Sequence, residues 1–162
     1  MTDGEILDIA DRQSAIDSAC RPEDFFKAEH VVVRSRADMG ARKYLSLPFA
    51  LDLASYGNNV VASADETLIP VAKAYLRGRR TEACFETPAL HELDAMLSPF
   101  GMRTFFQAEY FLPDLNAMRE IACAYPTRIL AREAFSELYL PQWSNALCKA
   151  RKENDVLCVG AC

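Results

Sequence analysis

Three places in this chain hold side chains of the kinds that do chemistry. Cys84, Glu86 and His91 lie close together in sequence, and a thiol beside an imidazole is the pair from which an activated thiolate is made. If Thr87 caps a helix that has Pro88 in its first turn, His91 falls early in that helix and Cys84 just before it, so contact is feasible. The residue types favour a structural reading instead. Glu86 near a helix N-terminus is favourable electrostatics, His91 is a surface position and Cys84 a core one. Glu109 and Tyr110 interrupt the apolar run Met102–Phe111; alternation along a strand puts Glu109 and Phe111 on one face and Tyr110 on the other, so Glu109 is a candidate amine-binding carboxylate among aromatic rings. Its competing reading is a solvent-facing glutamate. Trp143 and Asn145 stand next to the helix break at Pro141 and are the third candidate cleft, with core packing the competing role for Trp143.

Other chemistries find little support. Six cysteines, Cys20, Cys84, Cys123, Cys148, Cys158 and Cys162, never form a C-x-x-C pair, and the two histidines are not their neighbours, so no metal site is expected. The cysteines sit in apolar segments, where reduced, buried thiols are the expectation. Net charge is -5 and the 18 basic residues are scattered, which argues against nucleic acid as a partner. The run Arg77, Arg79 and Arg80 reads as a solvated helix end. No signal-peptide pattern and no apolar run of membrane-spanning length occurs, so neither a membrane partner nor export is expected and the chain is placed in the cytoplasm.

The elements that must position these residues follow from periodicity and punctuation. Ile6 to Ala19 has helical spacing and stops at Arg21-Pro22; Glu29 to Arg34 is a β-branched strand; Asp38-Met39-Gly40 is a turn. Within the apolar stretch from Tyr44 to Ala64, Tyr56-Gly57-Asn58-Asn59 predicts a hairpin turn between strands at Phe49–Ser55 and Val60–Ser63. Asp65-Glu66 opens a helix facing inward through Leu68, Ile69, Ala72, Tyr75 and Leu76, and a further helix spans Ala89 to Ser98. Met102–Phe111 has the aromatic bulk of a strand. Leu115 to Ala124 reads as a short helix or helical linker, and X-Pro at Tyr125-Pro126 marks a boundary between an N-terminal α/β domain, 1–124, and a second unit, 125–162. That unit holds a strand at Thr127–Ala131, a helical stretch split by Pro141, a second helical piece from Gln142 to Glu153, and an apolar strand Val156–Cys162 that wants cover on both faces. The fold class is α/β (α+β): a mixed sheet with flanking helices, then a strand-helix-helix-strand unit too small for a core of its own.

The wording of that last unit, Phe135-Ser136-Glu137-Leu138-Tyr139-Leu140-Pro141-Gln142-Trp143-Ser144-Asn145-Ala146-Leu147-Cys148 and then Asp155-Val156-Leu157-Cys158-Val159-Gly160-Ala161, resembles the opening of the acyltransferase domain in bacterial GNAT-superfamily N-acetyltransferases that carry an additional N-terminal domain. Leu53–Ser63, Cys84–Pro88 and Ala108–Pro113 resemble the N-terminal part of the same group. The resemblance implies transfer of an acetyl group from acetyl-CoA to a small-molecule or peptide amine in a full-length protein, with Trp143 and Asn145 bordering the acceptor site. It also implies a Q/R-x-x-G-x-G/A loop for the cofactor's pyrophosphate, and the isolated glycines here, Gly4, Gly40, Gly57, Gly78, Gly101 and Gly160, do not form one. No cofactor site is therefore assigned to this chain, which is expected to be an N-terminal portion without activity of its own. The other reading is a non-enzymatic module that binds a small ligand or a protein and self-associates as a homodimer.

Overall fold

The computed structural model describes residues 1–43 and 45–161 and forms two compact units, Met1–Asn116 and Ala117–Cys162. Helix α1, Asp3–Asp17, begins in a capping box: Thr2 Oγ1 accepts the Glu5 N–H and the Glu5 carboxylate accepts that of Thr2. It meets the rest of the unit along a narrow stripe centred on Ala15, which packs with Phe25 and Val61. The large apolar residues expected to face inward do not, since Ile9 and Ile16 are exposed while Asp11 and Asp17 are buried. For Asp17 the reason is a pairing across the unit: it accepts from both the backbone N–H and the guanidinium of Arg42. Such a charge-paired carboxylate can occupy a buried position at lower cost than a lone one. Asp11 Oδ1, by contrast, is buried with no hydrogen-bond partner among the described residues.

The sheet comprises β1 (Val31–Arg34), β2 (Leu51–Ala54) and β3 (Val61–Ala64) in the order β1-β3-β2, with β1 parallel and β2 antiparallel to β3. β3 is central and buried throughout. The expected hairpin forms: Gly57 adopts φ 100°, and Ser55 Oγ accepts the Gly57 N–H while donating to the Asn59 carbonyl. Asn59, fully buried, donates to the carbonyls of Asp24 and Glu29 and so fastens the turn to the segment leading into β1. His30 adds a second fastening, accepting the Val60 N–H at Nδ1, which leaves Nε2 to donate to the Arg79 carbonyl.

Alternate strand residues face two layers. Val32, Leu51, Leu53, Val60, Ala62 and Ala64 pack against α2 (Ile69–Leu76) and α3 (Thr87–Leu97), while Val31, Val33, Ala54 and Val61 pack with Ala15 and Phe25. The molecule is thus α+β, a small mixed sheet with flanking helices. Helix α3 starts one residue ahead of the expected cap: Glu86 is the N-cap, without a side-chain bond, and Thr87 is already helical. Gly101, at φ 70°, ends the following 3-10 turn in the left-handed conformation that a side chain would oppose.

Two expectations fail after that turn. Met102–Phe111 forms no strand, and Leu115–Ala124 is no helix beyond a single turn at its start. Composition alone does not make a strand, because its backbone groups need a ladder. Here Thr104 N–H is taken by the Asp94 carboxylate instead, and Phe105 is 96% exposed.

In the second unit β4 (Thr127–Ala131) and β5 (Leu157–Ala161) pair antiparallel, with Ile129 opposite Val159 and Leu130 opposite Cys158. The connection is built from 3-10 turns, Arg132–Ala134, Ser136–Leu138, Pro141–Trp143 and Lys149–Asn154, where longer helical pieces were expected. Pro141 breaks the stretch as its missing N–H dictates. Among the described residues Leu130, Phe135 and Leu147 form the unit's small core, with Leu138, Tyr139 and Cys158 packed against it. The other face of the ribbon is bare, with Ile129 74% and Val159 65% exposed, so the cover anticipated for β5 on both faces exists on only one. Tyr44 and Cys162, named at the ends of two predicted stretches, lie outside the described residues.

Candidate functional site

An apolar cleft of about 450 Å3 opens in the N-terminal unit. One wall is Phe49–Leu53, the outer strand β2 with its approach; the floor is Leu68, Phe85 and the α3 residues Leu90, Leu93 and Leu97; the far wall is the chain from Met102 to Ala108, with Tyr110. The floor follows from the periodicity of α3, whose inward residues recur every third or fourth position. Among the described residues the far wall is held by the Met102 N–H to the Leu97 carbonyl, Thr104 N–H to Asp94, Gln107 Nε2 to the Phe85 carbonyl at 3.0 Å, and the Tyr110 ring under the Arg42 guanidinium, 5.5 Å from its centroid.

Charge gathers at the β2 wall. Asp52 borders the cleft, but alternation along β2 turns its side chain to the Ala54 face and away from the leucine floor, toward Asp17 and Arg42. Burial, and after it the nearby Asp17 carboxylate, push its pKa above the ordinary value, against the opposing pull of the Leu53 N–H and of Arg42. Asp17 is itself the ion-pair partner of Arg42. Two carboxylates therefore share the neighbourhood of one guanidinium that also covers Tyr110.

The residues singled out from sequence divide between the units. Tyr110 lines the cleft, 68% exposed, and Glu109 beside it is exposed. Trp143, at the end of the 3-10 turn after Leu140, and Asn145 are both exposed in the second unit. Cys84, Glu86 and His91 form no nucleophilic centre. Cys84 is fully buried, its thiol facing the Arg80 carbonyl at 3.3 Å and its carbonyl accepting the Tyr75 hydroxyl, and burial raises its pKa away from the thiolate; His91 is exposed. Of the other cysteines, Cys123 is exposed rather than buried, and Cys20, Cys148 and Cys158 are partly covered and unbridged. Among the described residues no group of three or more His, Cys, Asp or Glu side chains is placed to hold a metal ion, and no helix is long and apolar enough to cross a membrane.

Asp52, Asp17 and Arg42 were absent from the sequence reading. Asp52 carried a legible signal, a charge between two leucines of a hairpin strand. The Asp17–Arg42 pairing carried none, since it joins the last turn of α1 to a loop distant in sequence. No family model matches the chain, and neither a curated protein nor a solved structure is similar to it at a significant level.

Proposed function

We propose that the N-terminal unit binds a small molecule or peptide end with an apolar body and an amine group, held in the cleft between β2 and the Met102–Ala108 wall. The single observation behind this reading is the charge balance around Asp52: Asp17 and Asp52 are set against Arg42, which covers the Tyr110 ring at the rim of a mainly apolar cavity whose other lining charge is Arg103. An ammonium group there would restore balance and would hold Asp52 ionised against the cost of its burial. The apolar body would displace water from the leucine floor, as in most small-molecule sites.

The resemblance to GNAT acyltransferases gives the amine its role. It would be the acyl acceptor in a cytoplasmic enzyme whose acetyl-CoA loop has no counterpart among these residues, and this chain would contribute the acceptor side. The antiparallel pairing of β4 with β5 around short helical turns supports that reading. The non-enzymatic ligand-binding module uses the same cleft and the same ligand chemistry.

Calorimetric titration with phenethylamine and with 3-phenylpropionate tests the proposal, since the two probes share an apolar body and differ in the sign of their charge. Phenethylamine is expected to bind and the carboxylate to bind at least about tenfold more weakly, a difference of ~1.4 kcal/mol; Asp52→Asn removes most of that preference. Equal affinity for both probes, or none for either, overturns the amine reading. Acetyl-CoA is expected to leave the melting temperature unchanged, and a clear upward shift would contradict the absence of a cofactor site.

A further inference from the structure

The outer edge of β2 carries backbone groups that the sheet does not use. The Asp65 N–H donates to the Ala50 carbonyl, so in the β2–β3 register Ala50/Asp65, Asp52/Ser63 and Ala54/Val61 are the bonded pairs. Leu51 and Leu53 consequently turn their N–H and C=O groups outward, away from β3. An open strand edge beside an apolar cavity is a template for another strand.

The chain that forms the opposite wall has the composition to be that strand. Met102–Phe111 carries Phe105, Phe106, Tyr110 and Phe111, all exposed as the segment now lies. Its start is fixed by the Met102 N–H, which donates to the Leu97 carbonyl; beyond that, among the described residues, the attachments of Thr104–Tyr110 each involve a side chain, of Asp94, Gln107 or Tyr110, and none of those is a ladder bond. It is tethered at one end by the Gly101 turn after α3.

We propose that Thr104–Tyr110 is a strap that adds to the outer edge of β2 as a fourth strand, closing the cleft, and that the structure holds it in the open position. Pairing would bond the outward groups of Leu51 and the outward carbonyl of Leu53, with the Leu53 N–H exchanging its contact with the Asp52 carboxylate for the ladder, and alternation would place Phe106 and Tyr110 on one face of the sheet and Phe105 and Gln107 on the other. The strap would then occupy the space that a ligand needs, so closure and binding exclude each other. The inference uses the cleft's geometry and not the charge of its ligand, so the test contains no amine.

Backbone hydrogen exchange of the whole chain, read residue by residue at two protein concentrations, decides it. Alternate amides of Thr104–Tyr110, together with Leu51, are expected to exchange roughly tenfold or more slowly than unpaired amides, independently of concentration. Phe106→Pro and Gln107→Pro each remove a ladder donor or distort the strap, so both are expected to abolish that protection and to raise binding of the neutral dye Nile red several-fold. Exchange of these amides at the unpaired rate in the unaltered chain overturns the proposal. So does protection that grows with concentration, which would mean pairing between two copies, and so does dye binding equal in all three proteins.

Discussion

β3 of the N-terminal unit and β5 of the C-terminal unit are both short, almost wholly apolar strands, Val61-Ala62-Ser63-Ala64 and Leu157-Cys158-Val159-Gly160-Ala161, and their surroundings differ completely. β3 has a strand on each side and helices on each face, and all of it is buried. β5 has one neighbour and one covered face, and Leu157 and Val159 stand in solvent. An apolar strand therefore specifies a demand for cover, and the number of elements around it decides whether the demand is met. Among the described residues the N-terminal unit has three strands and three α-helices with which to meet it, and the C-terminal unit has two strands and 3-10 turns.

The largest effect that this difference predicts falls on the smaller core. Among the described residues Phe135 is one of three in the buried cluster of the second unit, and Phe→Ala changes in cores typically cost about 3–5 kcal/mol. A unit with so little buried surface has no reserve of that size. Phe135→Ala is expected to release the amides of β4 and β5 to exchange freely while those of β3 keep their protection. Unchanged protection in β4 and β5 would mean that something besides Leu130, Phe135 and Leu147 stabilises the ribbon.

The same truncation in the larger core should be survivable. Leu93 is buried on α3 among Leu68, Leu76 and Leu97, and Leu93→Ala is expected to cost ~2–5 kcal/mol, seen as a lower denaturant midpoint for the N-terminal unit with its fold retained. Collapse of the whole unit would put the two cores on an equal footing and break the comparison.

Asp52 sharpens the contrast from inside the well-covered sheet. Its folded pKa lies above the unfolded value of 3.8, so the folded form binds the proton more tightly, and stability falls as pH rises from 3.8 through the folded value. Asp52→Asn is thus expected to raise the thermal midpoint at neutral pH and to make no difference below 3.8, where both side chains are neutral. The same substitution weakens amine binding under the proposed function. A variant that is no more stable at neutral pH would show that Asp52 is satisfied in the unliganded protein.

How far the sequence discloses this arrangement depends on the range over which each feature is decided. Gly57 and its neighbours announce the hairpin, Pro141 the break in the second unit, and Thr127–Ala131 the strand β4, because each is decided by backbone chemistry within a few residues. Ile9 and Ile16 misdirect, since which stripe of α1 is covered depends on where Phe25 and Val61 lie. Met102–Phe111 misdirects for a related reason: its strand propensity is genuine, and the partner edge that would realise it is β2, far away in the chain. The cleft was half legible. Tyr110 could be found from an aromatic run and Asp52 from a charge between leucines, but the Asp17–Arg42 pair that sets the electrostatics of the wall depends on a contact that no local pattern announces.

The smallest expected effect is the most direct test of the comparison. Val159 projects from the bare face of β5 opposite Ile129 and is 65% exposed, so little apolar area leaves water when the unit folds. Val159→Ser removes methyl groups that are mostly in solvent, with Ile129 as their cross-strand neighbour, and surface changes of that kind usually stay within about 0.5 kcal/mol. The loss of a β-branched strand former and the gain in solubility oppose each other within that range. Measured beside Leu93→Ala under the same denaturant, Val159→Ser should shift the midpoint far less. A penalty approaching that of Leu93→Ala would require the Ile129–Val159 face to be covered in solution, and a dependence of that penalty on protein concentration would identify the cover as a second copy of the chain.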